Sequence, residues 1–385
     1  MINANTKFKY FDGLNALRFF AASLVMLMHI RSNQITQGLA TLPDWPIFFK
    51  GLTAVSFFFV LSGFLITYIL LKEIEKTSSV NVKTFYLKRI FRIWPLYFII
   101  VAIGMLFYWY LAPRLGLAFT VDYPKSLAVF LYVFFGANII SSLYHVGGIL
   151  HVTWSIAVEE QFYLFWAPLM KWGQEHLQKI LLAVFTMSLL INVLNAYNVF
   201  GLTEGPKLFL HTLQFHYMAI GGWMAYLLYQ NPKKLLSKKV FSSKPVQYVL
   251  FLLLLLFIFG YRKVAVLEPI LVAPTGLLFA WLIINVSANP NKIFGLKIKP
   301  LDYLGKISYG VYMYHMIVVY AASFIAHKFL IGLTLTTFQL TYFSIVLGGT
   351  IALSAVSYHL LERKILYFGK NKIDQLSNRK PIKER

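Results

Sequence analysis

The sequence predicts an all-α polytopic membrane protein with about ten transmembrane helices. Of its 385 residues, 58% are hydrophobic and only 13% are charged, whereas a soluble domain carries about 25% charged residues. Apolar runs of the length that a span needs, about 20 residues, recur along the whole chain. Tyr and Trp, which favour the headgroup level of a bilayer, are also abundant, with 24 and 8 copies.

Ten apolar runs are predicted to cross the membrane. They are Leu14–Ile30, Gly51–Leu71, Trp94–Ala112, Trp154–Met170, Gln178–Ala196, Leu208–Tyr229, Val246–Tyr261, Pro269–Val286, Tyr303–Ala326 and Phe338–Leu361. Pro95 is expected in the first turn of the third span, where proline suits a helix start. An eleventh run, Ser126–Leu143, is ambiguous by length alone.

Charge in the loops decides how Ser126–Leu143 is interpreted. Lys and Arg collect in short cytoplasmic loops, and both Lys72–Arg92 and Gln230–Pro245 are rich in them. An even number of spans must therefore separate these two loops, and counting Ser126–Leu143 would make the number odd. We predict that it is a re-entrant or interfacial segment on the outer side, before the fourth span, and that both termini are cytoplasmic.

The net charge of +22 is assigned by this topology to membrane orientation and to anionic lipid headgroups. Nucleic acid is not an expected partner. Residues 1–363 are predicted to form one membrane domain and residues 364–385 a basic cytoplasmic tail. The chain has no cysteine, which excludes disulfides, cysteine-bound metals and a thiol nucleophile.

Arg18 and His29 are the first ionisable residues expected inside the membrane, where such residues often mark function. Their spacing of eleven residues places both on nearly the same helical face, about 16 Å apart along the axis. His29 suits the role of a general base. The alternative is that His29 hydrogen-bonds a neighbour and Arg18 extends towards the inner surface.

Glu159 and Glu160 are predicted to lie one to two turns inside the outer end of the fourth span. No Lys or Arg of that span can pair with them, so a histidine or arginine of another helix is expected to do so. His29 has a similar predicted depth and is the expected partner. Adjacent helical residues point about 100° apart, so only one glutamate is expected to face the site. The alternative is that a glutamate only caps a helix or ties helices together.

Arg89 and Arg92 share one helical face through their i, i+3 spacing. Two guanidinium groups at the cytoplasmic side are suited to binding phosphates in a bidentate manner. The alternative is an ordinary positive anchor at the inner surface.

Ser308, Tyr312 and His315 follow i, i+4, i+7 spacing and form a polar stripe on one helix. The stripe suits a cavity wall, although a hydrogen-bond ladder between helices is an equal alternative. His145 and His151 flank a Gly147-Gly148 loop, but two histidines without a third ligand are weak evidence for a metal.

Six blocks in this order resemble the membrane acyltransferase family 3, the group that includes bacterial O-antigen and Nod-factor O-acetyltransferases. The blocks are Phe11–Arg18 with ten residues before His29, Phe57–Ile66, Arg89-Xaa-Xaa-Arg92 before Pro95, Trp154–Tyr163, Ser308–His315 and Tyr358–Glu362. Asn15 departs from the pattern, since many members carry an arginine there.

The resemblance implies a multi-pass enzyme of the bacterial cytoplasmic membrane. Its donor co-substrate would be cytoplasmic acyl-CoA, usually acetyl-CoA, its acceptor a carbohydrate or lipid-linked sugar, and no metal would be needed. The resemblance implies that Arg18 and His29 are required and that Arg89 and Arg92 lie near the phosphates of acyl-CoA. The remaining blocks suggest substrate-binding residues, namely Trp154, Tyr163, Ser308, Tyr312 and His315.

These observations combine into one hypothesis, in which His29, oriented by Glu159 or Glu160, deprotonates a sugar hydroxyl that attacks the thioester. A transporter or exporter of a polysaccharide precursor is the main alternative. The absence of an internal repeat argues weakly against transport.

Overall fold

The computed structural model describes residues 11–117, 119, 121–260 and 268–376, and these residues are helical with no strand among them. The main helices are α1 (Leu14–Thr36), α2 (Gly51–Thr77), α3 (Val82–Leu106), α4 (Lys125–Val133), α5 (Ala137–Leu143), α6 (Gly148–His151), α7 (Trp154–Trp172), α8 (Leu177–Ala196), α9 (Glu204–Thr212), α10 (Phe215–Gln230), α11 (Lys244–Leu255), α12 (Glu268–Ser287), α13 (Lys299–Lys306), α14 (Ser308–Ile325), α15 (Leu335–Ser357) and α16 (Arg363–Leu376). Helices α3, α11, α14 and α15 are extended by the π-helical turns Phe107–Leu111, Leu256–Gly260, Ala326–Leu330 and Tyr358–Glu362.

Six helical stretches of the described chain are long and apolar enough to cross a bilayer. They are Leu14–Thr36, Gly51–Thr77, Val82–Arg114, Gln174–Ala196, Ser308–Leu330 and Leu335–Leu376. Two shorter apolar helices, Lys244–Gly260 and Leu271–Ser287, have the composition of a span but not its full length. The fold is therefore that of a helical, multi-pass membrane protein.

The predicted position of Pro95 is wrong. Helix α3 begins at Val82, where the Asn81 side chain accepts the backbone N–H of Thr84 at 2.9 Å, and Pro95 lies in the helix interior. The helix is thus already formed and capped well before the proline. Arg89 and Arg92 consequently stand on the first half of a continuous helix rather than in a loop ahead of it.

Two predicted spans are each divided in the structure. The run Leu208–Tyr229 is broken at Leu213–Gln214, between α9 and α10, and the run Tyr303–Ala326 is broken at Ile307, between α13 and α14. The ambiguous run Ser126–Leu143 forms the short helices α4 and α5, and Phe135 between them has a positive φ of 54°. Neither α4 nor α5 is long enough to cross a bilayer.

Small residues allow the close approach of α2 and α10. Gly63 of α2 faces the backbone of Met218, and Gly221 of α10 faces the backbone carbonyl of Val60, so that a Cβ at either glycine would clash with main chain. Close backbone approach through small residues is a common way for helices to pack in a membrane. This contact fixes α2, which contributes one wall of the site.

Two tyrosines hold the segment around α6. Tyr108 accepts the backbone N–H of Ile149 and Tyr320 accepts that of Gly148, both at 3.0 Å. Gly147 has φ of 80° and leaves room for the ring of Tyr108. The start of α6 is thereby attached to the π-helical turn that extends α3 and to α14.

Candidate active site

A cavity of about 250 Å³ lies between α1, α2, α3, α7, α13 and α14. Its charged lining consists of Arg18, Arg89, Arg92, Glu159 and Lys306. Apolar side chains complete the lining, namely Leu61, Leu65, Ile66 and Ile69 of α2, Ile93 of α3 and Ile156 of α7. We call it the arginine cavity.

Arg18 is oriented from its own helix. Its guanidinium donates to the side-chain carbonyl of Asn15 at 3.0 Å, and the amide of Asn15 donates to Asp302 at 2.8 Å. Gly305 of α13 lies directly against the Asn15 backbone, where a Cβ would clash, so α1 and α13 are held close together. Asn15, which departs from the resemblance, therefore orients the arginine one turn away, a role that the sequence did not suggest.

Arg89 and Arg92 both line the cavity, as their shared helical face predicted. The guanidinium of Arg89 lies 5.6 Å from the ring centroids of Phe85 and Tyr163, which is within the range of a cation–π contact. Its Nε has no hydrogen-bond partner among the described residues. A buried donor without a partner is costly, so this guanidinium is suited to receiving a ligand atom.

Glu159 is the glutamate that faces the cavity. It accepts a hydrogen bond from Tyr163 at 3.0 Å, and the Tyr163 hydroxyl also contacts that of Ser62. Lys306 is paired with Asp302 at 2.7 Å. Three arginines therefore face one carboxylate in the lining, and the excess positive charge suits an anionic ligand.

Glu160 points to a different neighbour. It accepts the indole N–H of Trp94 at 3.0 Å, and its other carboxylate oxygen has no partner among the described residues. The sequence left open which of the two glutamates faces the site. The structure gives that place to Glu159 and ties Glu160 to α3.

Tyr312 and Ser155 form the far wall of the arginine cavity. Their hydroxyls are 2.7 Å apart, and Tyr312 also donates to the carbonyl of Val152 at 3.2 Å. Ser308 donates to Gly305 and lines the cavity, and so does Tyr309. Ser155 and Tyr309 were missed from the sequence, although Ser155 is four residues before Glu159 and Tyr309 adjoins the predicted stripe.

His29 and His315 form a separate histidine pair beyond this wall. Their ring centroids are 5.1 Å apart at an angle of 39°. His315 is buried, and its Nδ1 lies 2.7 Å from the carbonyl oxygen of Tyr312. Because a carbonyl only accepts, Nδ1 carries the proton and Nε2 keeps a lone pair. That Nε2 is buried and has no hydrogen-bond partner among the described residues.

The expected contact between His29 and a glutamate is not the one that the structure forms. Among the described residues, Glu159 bonds to Tyr163, Glu160 bonds to Trp94, and the ring beside His29 is that of His315. The cause is depth, since α7 brings Glu159 to the level of the arginines rather than to that of His29.

Trp154 packs edge-on against Phe59, with ring centroids 6.2 Å apart, and neither it nor the histidine pair lines the arginine cavity. The cavity thus gathers seven predicted residues, namely Arg18, Arg89, Arg92, Glu159, Tyr163, Ser308 and Tyr312. Within the described ranges, no three His, Cys, Asp or Glu side chains are grouped in a way that could hold a metal ion.

Comparison with known proteins identifies the relatives of this chain. The model of the family described as an acyltransferase domain matches residues 11–359. The chain is similar to the peptidoglycan O-acetyltransferase OatA of Listeria monocytogenes, with 28% identity over 328 residues that cover 80% of this chain and 49% of that protein.

It is also similar to the O-acetyltransferase OatA of Staphylococcus aureus, with 27% identity over 343 residues that cover 82% of this chain and 52% of that protein. The chain therefore spans about half the length of these curated relatives. No solved structure matches it.

Proposed function

We propose, from the premise that this chain belongs to the acyltransferase family whose model matches residues 11–359, that it is an integral membrane O-acyltransferase. It moves an acyl group, with acetyl as the first choice, from cytoplasmic acyl-CoA to a hydroxyl of a surface or lipid-linked carbohydrate. The relatives named as O-acetyltransferases support acetyl transfer to oxygen. The peptidoglycan in the name of the Listeria protein supports a carbohydrate acceptor.

The observation that carries this proposal is the composition of the arginine cavity. Arg18, Arg89 and Arg92 provide cationic donors, and leucine and isoleucine side chains provide apolar surface in the same lining. A ligand with anionic and apolar parts fits such a lining. Acyl-CoA has both, because its phosphates need cations and its pantetheine arm tolerates an apolar channel.

The proposed arrangement in the membrane has ten spans, cytoplasmic termini and a re-entrant segment formed by α4 and α5, in the bacterial cytoplasmic membrane. It is supported by the Lys- and Arg-rich loops, which would all face the cytoplasm. In this orientation the arginine cavity opens towards the cytoplasm and the histidine pair lies nearer the outer surface. The donor and the acceptor then reach the reaction from opposite sides.

His29 is the proposed general base. Nε2 of His315 has a lone pair and no partner among the described residues, so it is suited to accepting an N–H from the neighbouring His29 ring. That bond would fix the tautomer of His29 and leave its second nitrogen free to accept a proton. His315 therefore acts as a positioning residue rather than in the substrate contact predicted from sequence.

The proposed reaction uses His29 as its base. The acceptor hydroxyl oxygen attacks the thioester carbonyl carbon, and its proton passes to His29 as the new C–O bond forms. The C–S bond then breaks, and the departing CoA sulfur takes the proton from His29. Exclusion of water by the surrounding helices limits hydrolysis of the thioester.

The other predicted residues take supporting roles in the proposal. Arg18 lies in the lining with Glu159, which limits the excess of positive charge around the thioester. Glu160 and Trp94 tie α7 to α3. Tyr312 separates the cavity from the histidine pair, since it lines the cavity and its ring centroid is 6.0 Å from that of His315.

Reconstitution tests the proposal. The purified protein is placed in liposomes with acetyl-labelled acetyl-CoA on one side and a cell-wall glycan fragment on the other, and the label on the glycan is measured. Transfer that depends on acetyl-CoA is the expected result. Mass spectrometry of surface glycans from the host with and without the gene identifies the acceptor.

Export of a polysaccharide precursor, the alternative raised by the sequence, receives no support from relatives that are named as O-acetyltransferases. The same liposomes separate the two functions. An exporter would move labelled glycan across the bilayer without acetyl-CoA and would leave it unmodified, and that outcome would overturn the proposal.

A further inference from the structure

A second recess, of about 900 Å³, lies at the N-terminal end of α3 and beside the C-terminal half of α2. Five lysines line it, namely Lys72, Lys76, Lys83, Lys88 and Lys171, against the two acids Glu73 and Asp374. We call it the lysine groove. Lys76, Lys83 and Lys88 are exposed and form no ion pair with the described residues.

The lysine groove continues the arginine cavity along the same two helices. Ile69 of α2 lines both recesses, and the α2 stripe runs from Ser62 in the cavity to Lys76 in the groove, about 21 Å along the axis. On α3, Lys88 lines the groove and the adjacent Arg89 lines the cavity. One extended ligand can therefore occupy both.

The lysine groove also contains a helix N-terminus and apolar side chains. Its lining includes the first turn of α3, where the backbone N–H groups of a helix N-terminus favour anions. Apolar side chains stand among the lysines, including Val80 of the loop, Leu87 of α3 and Ile373 of α16. A flat aromatic base and a phosphate suit such a mixed surface.

Helix α16 closes one side of the groove. It is held on α3 because Gly369 lies against the ring of Phe91, where a Cβ would clash, and Phe368 packs on the same ring at 5.9 Å. Ile373, Asp374 and Leu376 of this helix complete the lining. Helix α16, which follows the last predicted span, thus lines the groove, although the sequence predicted only a basic cytoplasmic tail from residue 364 onwards.

We propose that the lysine groove binds the 3′-phosphoadenosine end of acyl-CoA while Arg89 and Arg92 contact the diphosphate. This inference rests on the proposed function and extends it from the donor class to a second anion site. Contacts of one donor molecule with two separate cationic sites would fix its position along the cavity. The 3′-phosphate would provide the specificity for CoA, because the lysines of the groove would contact a group that 3′-dephospho-CoA lacks.

The test is equilibrium binding of radiolabelled CoA and 3′-dephospho-CoA to the full-length protein in a neutral detergent. The variant carries Lys76→Gln, Lys83→Gln and Lys88→Gln together. We expect its Kd for CoA to rise about tenfold, which corresponds to about 1.4 kcal/mol, and its preference for CoA over 3′-dephospho-CoA to disappear. The effect should decrease as salt is raised, because exposed charges are screened.

Two matched variants accompany it. Lys233→Gln, Lys234→Gln and Lys238→Gln remove the same charge from exposed positions of another loop and should leave both Kd values unchanged. Replacing Lys76, Lys83 and Lys88 by arginine keeps the charge and should keep the preference for CoA. Arg89→Gln should weaken CoA and 3′-dephospho-CoA equally, because both contain the diphosphate.

Binding that is the same in the groove variant and in the unaltered protein would overturn the inference. So would an equal loss in the control variant, or a groove effect that appears only with phosphatidylglycerol vesicles and not with CoA, which would assign the lysines to lipid. The proposed function is judged separately by transfer. If CoA binding depends on the lysine groove but no acetyl group is transferred, the proposed function is rejected and the groove is retained. If acetyl transfer occurs but the groove variant binds CoA as the unaltered protein does, the groove is rejected and the function is retained.

Discussion

The arginine cavity and the histidine pair each include one residue of helix α1, yet the two regions differ in charge and in the kind of group that they leave unpaired. In the cavity, Arg18 donates to Asn15 and Glu159 accepts from Tyr163, while Nε of Arg89 has no partner among the described residues. In the histidine pair, His315 is anchored on one side and its other nitrogen is left without a partner among the described residues. The cavity therefore has an excess of cationic donors, whereas the pair has an acceptor nitrogen without a partner among the described residues.

This difference predicts that substitutions in the two regions change different kinetic constants. Loss of a group that contacts the donor in its ground state raises KM, whereas loss of a group that acts in the transition state lowers kcat.

Replacement of His29 should have the largest effect. In His29→Ala the general base is lost, and kcat for acetyl transfer should fall by a factor of about 10² to 10⁴, while KM for acetyl-CoA stays within about twofold. Initial rates in liposomes measure both constants. His327→Ala, at an exposed position in the π-helical turn that extends α14, is the control and should have normal rates. A His29→Ala protein with near-normal kcat would remove the proposed base.

The second effect concerns His315. His315→Leu removes the lone pair that orients His29, and kcat should fall by a factor of about 10 to 100, as for other residues that orient a functional histidine. His315→Gln supplies a carbonyl oxygen at a similar place and should recover part of the activity. The dependence of kcat on pH should also move in His315→Leu, because the base loses its partner. If His315 only fills space, the leucine variant will match the glutamine variant at every pH.

The arginine cavity should show the opposite behaviour. Arg92→Gln removes a charged donor from the lining, and a hydrogen bond to a charged group is worth about 1.5–3 kcal/mol. We therefore expect KM for acetyl-CoA to rise about tenfold or more, with kcat changed less than threefold. Arg114→Gln, exposed after α3 and away from the cavity lining, is the matched control. A fall in kcat without a change in KM would show that Arg92 belongs to the chemistry and not to binding.

Features that depend on a single helix could be predicted from the sequence. Spacing within α1 placed Arg18 and His29 on one stripe, spacing within α3 placed Arg89 and Arg92 on one face, and both arginines do line the cavity. The helical, apolar character of the chain was also predictable from composition. These features follow from the helical period, so the spacing of residues along the chain is enough to predict them.

Contacts between helices could not be predicted from the sequence. Asn15 meets Asp302 across a separation of 287 residues, and the neighbour of His29 is His315 rather than a glutamate of α7. Periodicity gives the face that a residue occupies but not which helix covers that face or at what depth. The same limit explains Pro95, since a proline is compatible with either the start or the interior of a membrane helix.

The smallest effect is expected from Glu160, and it tests whether the two adjacent glutamates really differ. Glu160→Gln keeps an oxygen that can accept the Trp94 indole N–H, and it removes a charge that does not line the cavity, so both kinetic constants should stay within about threefold. Glu159→Gln instead changes the charge balance beside three arginines and should alter KM for acetyl-CoA by more than that. The two glutamine variants remove the same charge from neighbouring positions of α7, so measuring both in one assay shows whether the two glutamates differ in role. Equal effects would mean that the faces of these two residues do not determine their roles.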